Sequence, residues 1–225
     1  DGIGRVLDAP PGPAAAALLA PYLDAVRQQN PGGGLARYPG SPKIVRSLLR
    51  PQDRLSAIEL HPQDAARLKD NFAGDFQVRV IELDGWLALG AHLPPKEKRG
   101  LVLIDPPFEE GGEFERMVEG LVRAYRRWQG GTYALWYPIK DRRAISHFRQ
   151  MLAESGVPKI LDLAFSVRAP SHEPRLDGCG LVVVNPPYTF EAEMRAILPV
   201  LKPLLAEGPG AGWRLDWLAG EQRPA

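Results

Sequence analysis

The chain has 225 residues, with 28 Lys and Arg against 27 Asp and Glu, for a net charge of +1. That length suits one domain with an ample core, and the charge balance excludes a basic coat, so any nucleic-acid contact must come from local clusters. The lone Cys179 excludes an intramolecular disulfide and fits a reducing cytoplasm, while no apolar run approaches the ~20 residues needed to cross a bilayer.

Ala, Pro and Gly dominate residues 1–40, and Pro31-Gly32-Gly33-Gly34 is a breaker cluster. Between the breakers, Pro13 to Gln29 reads as a helix, with Leu18, Leu19, Tyr22, Leu23 and Val26 on one face. The spacing then predicts a second helix with Ser41 as N-cap and Pro42 as its first residue. Residues 1–50 therefore read as a helical subdomain.

From residue 51 the pattern becomes strand, helix, strand. Strands are predicted over 55–60, 78–83, 101–104, 132–137, 159–167 and 179–185. Helices are predicted over 62–71, 86–89, 113–129, 142–154 and 189–205. Such alternation argues for an α/β fold: a doubly wound, mostly parallel sheet with helices on both faces. The last two strands are joined by a polar segment without helical pattern, which predicts an antiparallel hairpin at the edge.

The most informative stretch is Asp105-Pro106-Pro107-Phe108, directly after the apolar run Gly100 to Ile104. Such a run reads as a strand buried on both faces, and ligands of open α/β sheets bind just beyond the carboxyl ends of such strands. An acid, two prolines and an aromatic ring suit a flat base bearing an exocyclic amine. The adenine amine is a poor nucleophile because its lone pair is delocalised into the ring. Asp105 can accept one N–H and the Pro106 carbonyl the other, favouring a more pyramidal nitrogen, and the acid can take up the proton released. Proline fixes φ, which pre-positions both acceptors. Phe108 would stack on the base. Taken alone, Asp-Pro-Pro is also an ordinary strand-terminating turn.

Three predicted strands run into an acid: Glu59, Asp84 and Asp105. In a doubly wound sheet they line one edge, where carboxylates partner ribose hydroxyls and base amines. Glu59 and Asp84 could thus hold an adenosyl cofactor beside Asp105. A Gly-rich turn after a first strand is the expected companion of such a site, and nothing before Glu59 supplies one. His61, His92, His147 and His172 lack metal-ligand spacing, so no metal is expected. Asn185-Pro186-Pro187-Tyr188 echoes the key motif, but chain order favours Asp105, and the echo reads as a turn leading into the last helix.

Arg37-Tyr38-Pro39-Gly40-Ser41-Pro42, Glu59-Leu60-His61-Pro62, Asp84-Gly85, Leu103 to Phe108, Tyr133 to Pro138 and Asn185-Pro186-Pro187 together resemble the RlmJ family of 23S ribosomal RNA adenine-N6 methyltransferases. The resemblance runs from Asp1 to about Trp217. It implies a class I, Rossmann-like methyltransferase with a small helical subdomain (1–50) and a catalytic core (51–225). It implies S-adenosyl-L-methionine as cofactor, 23S rRNA as partner, a cytoplasmic location and a monomer. By matching motif, Ser41, Glu59, Asp84, Gly85 and Asp105 would contact the cofactor. Asp105 and Pro106 would carry the chemistry, with Phe108 next to the target base. Family members carry a further amino-terminal segment with a Lys/His motif, a first strand and the Gly-rich loop, so the sequence reads as an amino-terminally truncated member. A DNA adenine-N6 methyltransferase and a non-catalytic nucleic-acid-binding fragment are the alternatives. Arg123, Arg126, Arg127, Lys140, Arg142 and Arg143 are candidate phosphate contacts, and His172 to Gly178 a candidate substrate loop.

Overall fold

A computed structural model describes residues 2–9, 11–109, 111–170 and 175–221. Three helices come first: α1 (Gly2–Asp8), α2 (Pro13–Gln28) and α3 (Ser41–Leu48). Strands and helices then alternate as β1 (Leu55–Glu59), α4 (Pro62–Asn71), β2 (Val78–Glu82), α5 (Gly85–Ala91), β3 (Leu101–Ile104), α6 (Glu113–Arg127), β4 (Thr132–Ile139) and α7 (Arg142–Glu154). The chain closes with β5 (Ile160–Ser166), β6 (Gly178–Val184), α8 (Phe190–Leu205) and β7 (Gly212–Ala219).

The helix starts follow from local chemistry. Asp84 caps α5 by accepting from the amides of Trp86 and Leu87. Asp141 caps α7 by accepting from those of Arg143 and Ala144. Both satisfy amides that the first helical turn leaves without partners. At α3 the N-cap is Gly40, whose carbonyl accepts from Lys43 and Ile44, and Ser41 is already helical and makes no cap bond. The expected Ser41 cap is thus displaced by one residue, because Pro42 fits the first turn equally well in either frame.

The strands pair in two groups. β1 and β2 form a parallel pair. The other five lie in the order β3-β4-β6-β5-β7. There β3–β4 is parallel, and β4–β6, β6–β5 and β5–β7 are antiparallel. The α/β class stands, and the β5–β6 hairpin is present. It is not an edge, however: β7 pairs along β5 and takes the outer position. The reason lies in Gly212–Ala219, where Trp213, Leu215 and Trp217 alternate with Arg214 and Asp216. Gly2 and Gly4 both lie within α1.

One core lies between the five-stranded sheet and α5, α6 and α7, built on Met117, Leu121, Tyr133, Leu135, Tyr137, Phe148 and Val184. A second, under α8, gathers Leu161, Phe165, Leu198 and Leu215. Helices therefore cover both faces of this sheet, and α1 and α2 pack on α8. A polar knot crosses the sheet. Asp162, fully buried, accepts from the Tyr137 hydroxyl at 2.7 Å and pairs with Arg149 at 2.9 Å and Arg214 at 3.2 Å. Burial, reinforced by the Asp162 charge, drives the Tyr137 hydroxyl far above its ordinary pKa.

Helices α5 and α6 tie the two strand groups together. Gly120 of α6 faces the Trp86 ring of α5, so closely that a Cβ there would meet the ring at 2.9 Å. Seven residues further along each segment, Arg127 at the end of α6 donates its Nε–H to the carbonyl of Leu93, just past the end of α5, at 2.7 Å. The two segments therefore run the same way. β1 is paired only to β2, and β3 only to β4. Their remaining edges carry no ladder partner among the described residues, and Leu101 and Leu103 of β3 are exposed.

Candidate active site

Glu59 ends β1 and Asp84 follows β2 at the carboxyl end of that parallel pair, and Asp105 follows the carboxyl end of β3. The Leu83 amide donates to the Glu59 carbonyl, which locks the ends of β1 and β2 side by side. One carboxylate oxygen of Glu59 accepts from the His61 amide at 2.8 Å. One oxygen of Asp84 accepts from Trp86 at 2.6 Å. In each acid the other oxygen has no hydrogen-bond partner among the described residues, so it is open to an outside donor. The space above Gly85 is empty: a Cβ built there meets nothing within 4 Å. Ser41 begins α3, which packs on β1, and is exposed.

Asp105 follows the last residue of β3. It makes no hydrogen bond within the described residues, although it lies on an open rim. The surrounding protein strips enough water from its carboxyl to push its pKa above the ordinary aspartate value. Three residues on, Phe108 has φ 54°, a left-handed conformation that a bulky side chain adopts only when its surroundings force it. The force is aromatic packing. The Phe108 ring lies 5.1 Å from Phe114 and 6.1 Å from Trp136, measured between centroids. Phe114 in turn packs at 4.7 Å on Phe148 of the core. The loop holding Asp105 and Pro106 is thereby pinned to the most deeply packed part of the molecule.

Two further residues, Trp136 and Glu113, support the loop through contacts that their neighbours in sequence do not announce. Trp136 supports Phe108 because β4 runs on for four residues past the Ile104–Leu135 pair, the last of the β3–β4 ladder. Glu113 is buried at the foot of the loop. One of its oxygens accepts from Arg116 at 2.9 Å, and the other has no hydrogen-bond partner among the described residues. The visible signal was an acid in a helical first turn, which alone says only that it suits the helix dipole.

Asn185 to Tyr188 lies at the opposite edge. Asn185 donates to the carbonyls of Gln129 and Gly131, both at 2.8 Å, and its own carbonyl accepts from the Thr132 hydroxyl at 3.0 Å. Its φ of 51° fits a turn. This second motif therefore closes the sheet where β4 begins and stands away from the three acids. Of the candidate substrate loop His172 to Gly178, positions 172–174 lie outside the described residues. Among the described residues no group of three or more His, Cys, Asp or Glu is placed to hold a metal, and no helix is long and apolar enough to cross a membrane.

Acids at the carboxyl ends of β1, β2 and β3, with a D-P-P-F loop directly after β3, fit the ligand edge of a Rossmann-like methyltransferase. The likeness to known proteins agrees. Residues 1–219 match the family described as ribosomal RNA large subunit methyltransferase D, RlmJ. Proteins named ribosomal RNA large subunit methyltransferase J are 41% identical in Haemophilus influenzae and 38% identical in Escherichia coli, each over 98% of this chain and 78% of the relative. A crystal structure of a Legionella pneumophila protein superposes with a TM-score of 0.87 at 33% identity, covering 96% of this chain and 79% of that one. A probable spermidine synthase from Corynebacterium glutamicum shares the fold at a TM-score of 0.50 and 13% identity, over 92% and 81% of the two chains. The chain belongs to the RlmJ family.

Proposed function

We propose that the protein transfers a methyl group from S-adenosyl-L-methionine to the N6 amine of an adenine in 23S ribosomal RNA. The observation that carries this reading is Asp105: a carboxyl with no hydrogen-bond partner among the described residues and a raised pKa, held at a sheet edge by a strained, aromatic-pinned loop. The names of the family and its relatives support large-subunit ribosomal RNA as the substrate, and the D-P-P-F loop supports the adenine amine as the target within it.

The donor set at the edge fits the cofactor. Free oxygens on Glu59 and Asp84 suit ribose hydroxyls and an adenine amine, which need acceptors. The open space over Gly85 leaves room for a ligand to approach the backbone, and Ser41 adds a hydroxyl from α3. Bound there, the sulfonium supplies an electrophilic methyl group. Asp105 accepts one N–H of the target amine and the Pro106 carbonyl accepts the other. Together they draw the nitrogen lone pair out of conjugation and aim it. As the N–C bond formed, the methyl–sulfur bond would break with its electron pair left on sulfur as a neutral thioether, and the amine would give up a proton that Asp105 receives and releases to solvent. Phe108 stacks against the extruded base. In this reading residues 1–50 are a helical subdomain, residues 51–225 are the catalytic core, and the protein works in the cytoplasm.

The open edges of β1 and β3 favour a second reading, a nucleic-acid-binding chain without turnover. Methyl incorporation into unmodified 23S rRNA and into duplex DNA, with calorimetry against S-adenosyl-L-methionine, separates the possibilities. N6-methyladenosine formed in rRNA is the expected product. A preference for duplex DNA would move the assignment to DNA. Absence of cofactor binding would leave the second reading.

A further inference from the structure

The six cations that the sequence offers for phosphate contact do not share one surface. Helix α6 leaves the Asp105 edge and descends, so Arg123, Arg126 and Arg127 sit toward the far rim, where Trp128 to Gly131 lead into the start of β4. Arg127 is engaged there by the Leu93 carbonyl. Lys140, Arg142 and Arg143 are placed otherwise. They follow β4 upward past the end of β3, and Lys140 stands four residues beyond the level of Asp105, roughly 13 Å along the strand direction.

These three side chains are exposed and have no carboxylate partner among the described residues. The one acid among them, Asp141, is occupied in capping α7. Cations elsewhere along this edge are neutralised. Arg175 pairs with Asp177 at 2.8 Å, and Arg168 pairs with Glu207. Arg149, deeper on α7, is held by Asp162 and Asp216. The corner between β4 and α7 is therefore a concentration of uncompensated positive charge on a protein whose net charge is only +1. It lies at the end of the strand that carries Trp136, which supports the Asp105 loop.

We infer that the RNA strand bearing the target adenine crosses this corner, with the phosphates flanking the extruded nucleotide held by Lys140, Arg142 and Arg143. The inference rests on the function proposed above and gives it a direction: the strand leaves the site over β4 and α7, away from the arginines of α6. Phosphate contacts of this kind position a nucleic acid and carry no sequence information themselves.

The test measures binding of a single-stranded segment of 23S rRNA over a range of salt concentrations. Each phosphate contact on single-stranded RNA contributes about 0.7 to the slope of log K against log salt. The K140A/R142A/R143A variant should lose about 2 from that slope and bind more weakly at low salt. Its affinity for S-adenosyl-L-methionine by calorimetry should stay that of the parent protein. The R123A/R126A variant should keep the parental slope. A triple variant with the parental slope, or an equal loss in the α6 variant, overturns the placement while leaving methylation of RNA intact. Absence of RNA binding by the parent protein overturns both the placement and the function on which it rests.

Discussion

Phe108 and Trp136 meet edge to face, with ring centroids 6.1 Å apart and planes at 66°. The contact joins the loop after β3 to the stretch of β4 that outruns it, and it holds Phe108 in a backbone conformation its side chain disfavours. The position of Asp105 thus depends on an indole in a neighbouring strand.

Trp136→Ala should consequently lose activity out of proportion to stability. Removing the ring costs about 3 kcal/mol of packing, and a displacement of the loop by an ångström lowers turnover about 100-fold. Trp136→Phe, which keeps an aromatic edge, should recover most of the rate. Methyl transfer at saturating cofactor, set beside thermal melts, reads both quantities. Equal rates in the Ala and Phe variants would detach Trp136 from the loop.

The raised pKa of Asp105 has two consequences with a definite sign. Turnover requires the ionised carboxylate, so the acidic limb of the rate profile should fall at a pH above the ordinary aspartate value of ~3.9. The folded state also holds this proton more tightly than the unfolded chain does. Stability contributed at Asp105 is therefore full below the unfolded pKa and declines as pH rises through the folded one. Asp105→Asn removes that decline, so at pH 7 the inactive variant should melt no lower than the parent protein. Melting curves at pH 4 and pH 7 check the sign.

Asp162 is the buried acid on which the five-stranded sheet depends. Tyr137, Arg149 and Arg214 all converge on it from separate elements. Asp162→Ala leaves a buried hydroxyl and two guanidinium groups without their common acceptor, and should destabilise the protein by about 3 kcal/mol. Urea titration of the variant measures this. Since Tyr137 lies between Trp136 and Pro138 on β4, the variant should also lose activity at temperatures where it remains folded.

Much of this architecture was legible in the residues. The apolar run to Ile104 followed by Asp-Pro-Pro marked both a strand and a site, because a buried strand and its breaker are local features. Asp84 was visible as an acid after a strand, and its capping role follows from the same position. What escaped was set by distance along the chain. Nothing near Trp213 says that its strand will lie against Phe165, and nothing near Trp136 says that it will brace Phe108. The insertion of β6 between β4 and β5 depends on Gly180, where a Cβ would strike the Tyr137 ring at 1.9 Å. That glycine makes sense only once the two strands are side by side.

The unpaired edges of β1 and β3 predict behaviour in solution. Open ladder groups beside exposed Leu101 and Leu103 template association with other chains. The 225-residue chain should show concentration-dependent association by light scattering, and Leu103→Lys should reduce it. A monomer at every concentration tested would show that these edges are protected.

The proposed chemistry is tested most directly by methyl incorporation into unmodified 23S rRNA under single-turnover conditions, comparing the parent protein with Asp105→Ala. The carboxylate that receives the amine proton should account for a loss of about 100-fold or more, with cofactor binding still measurable by calorimetry. Parental rates in the Asp105→Ala variant would contradict the assignment of the reacting group.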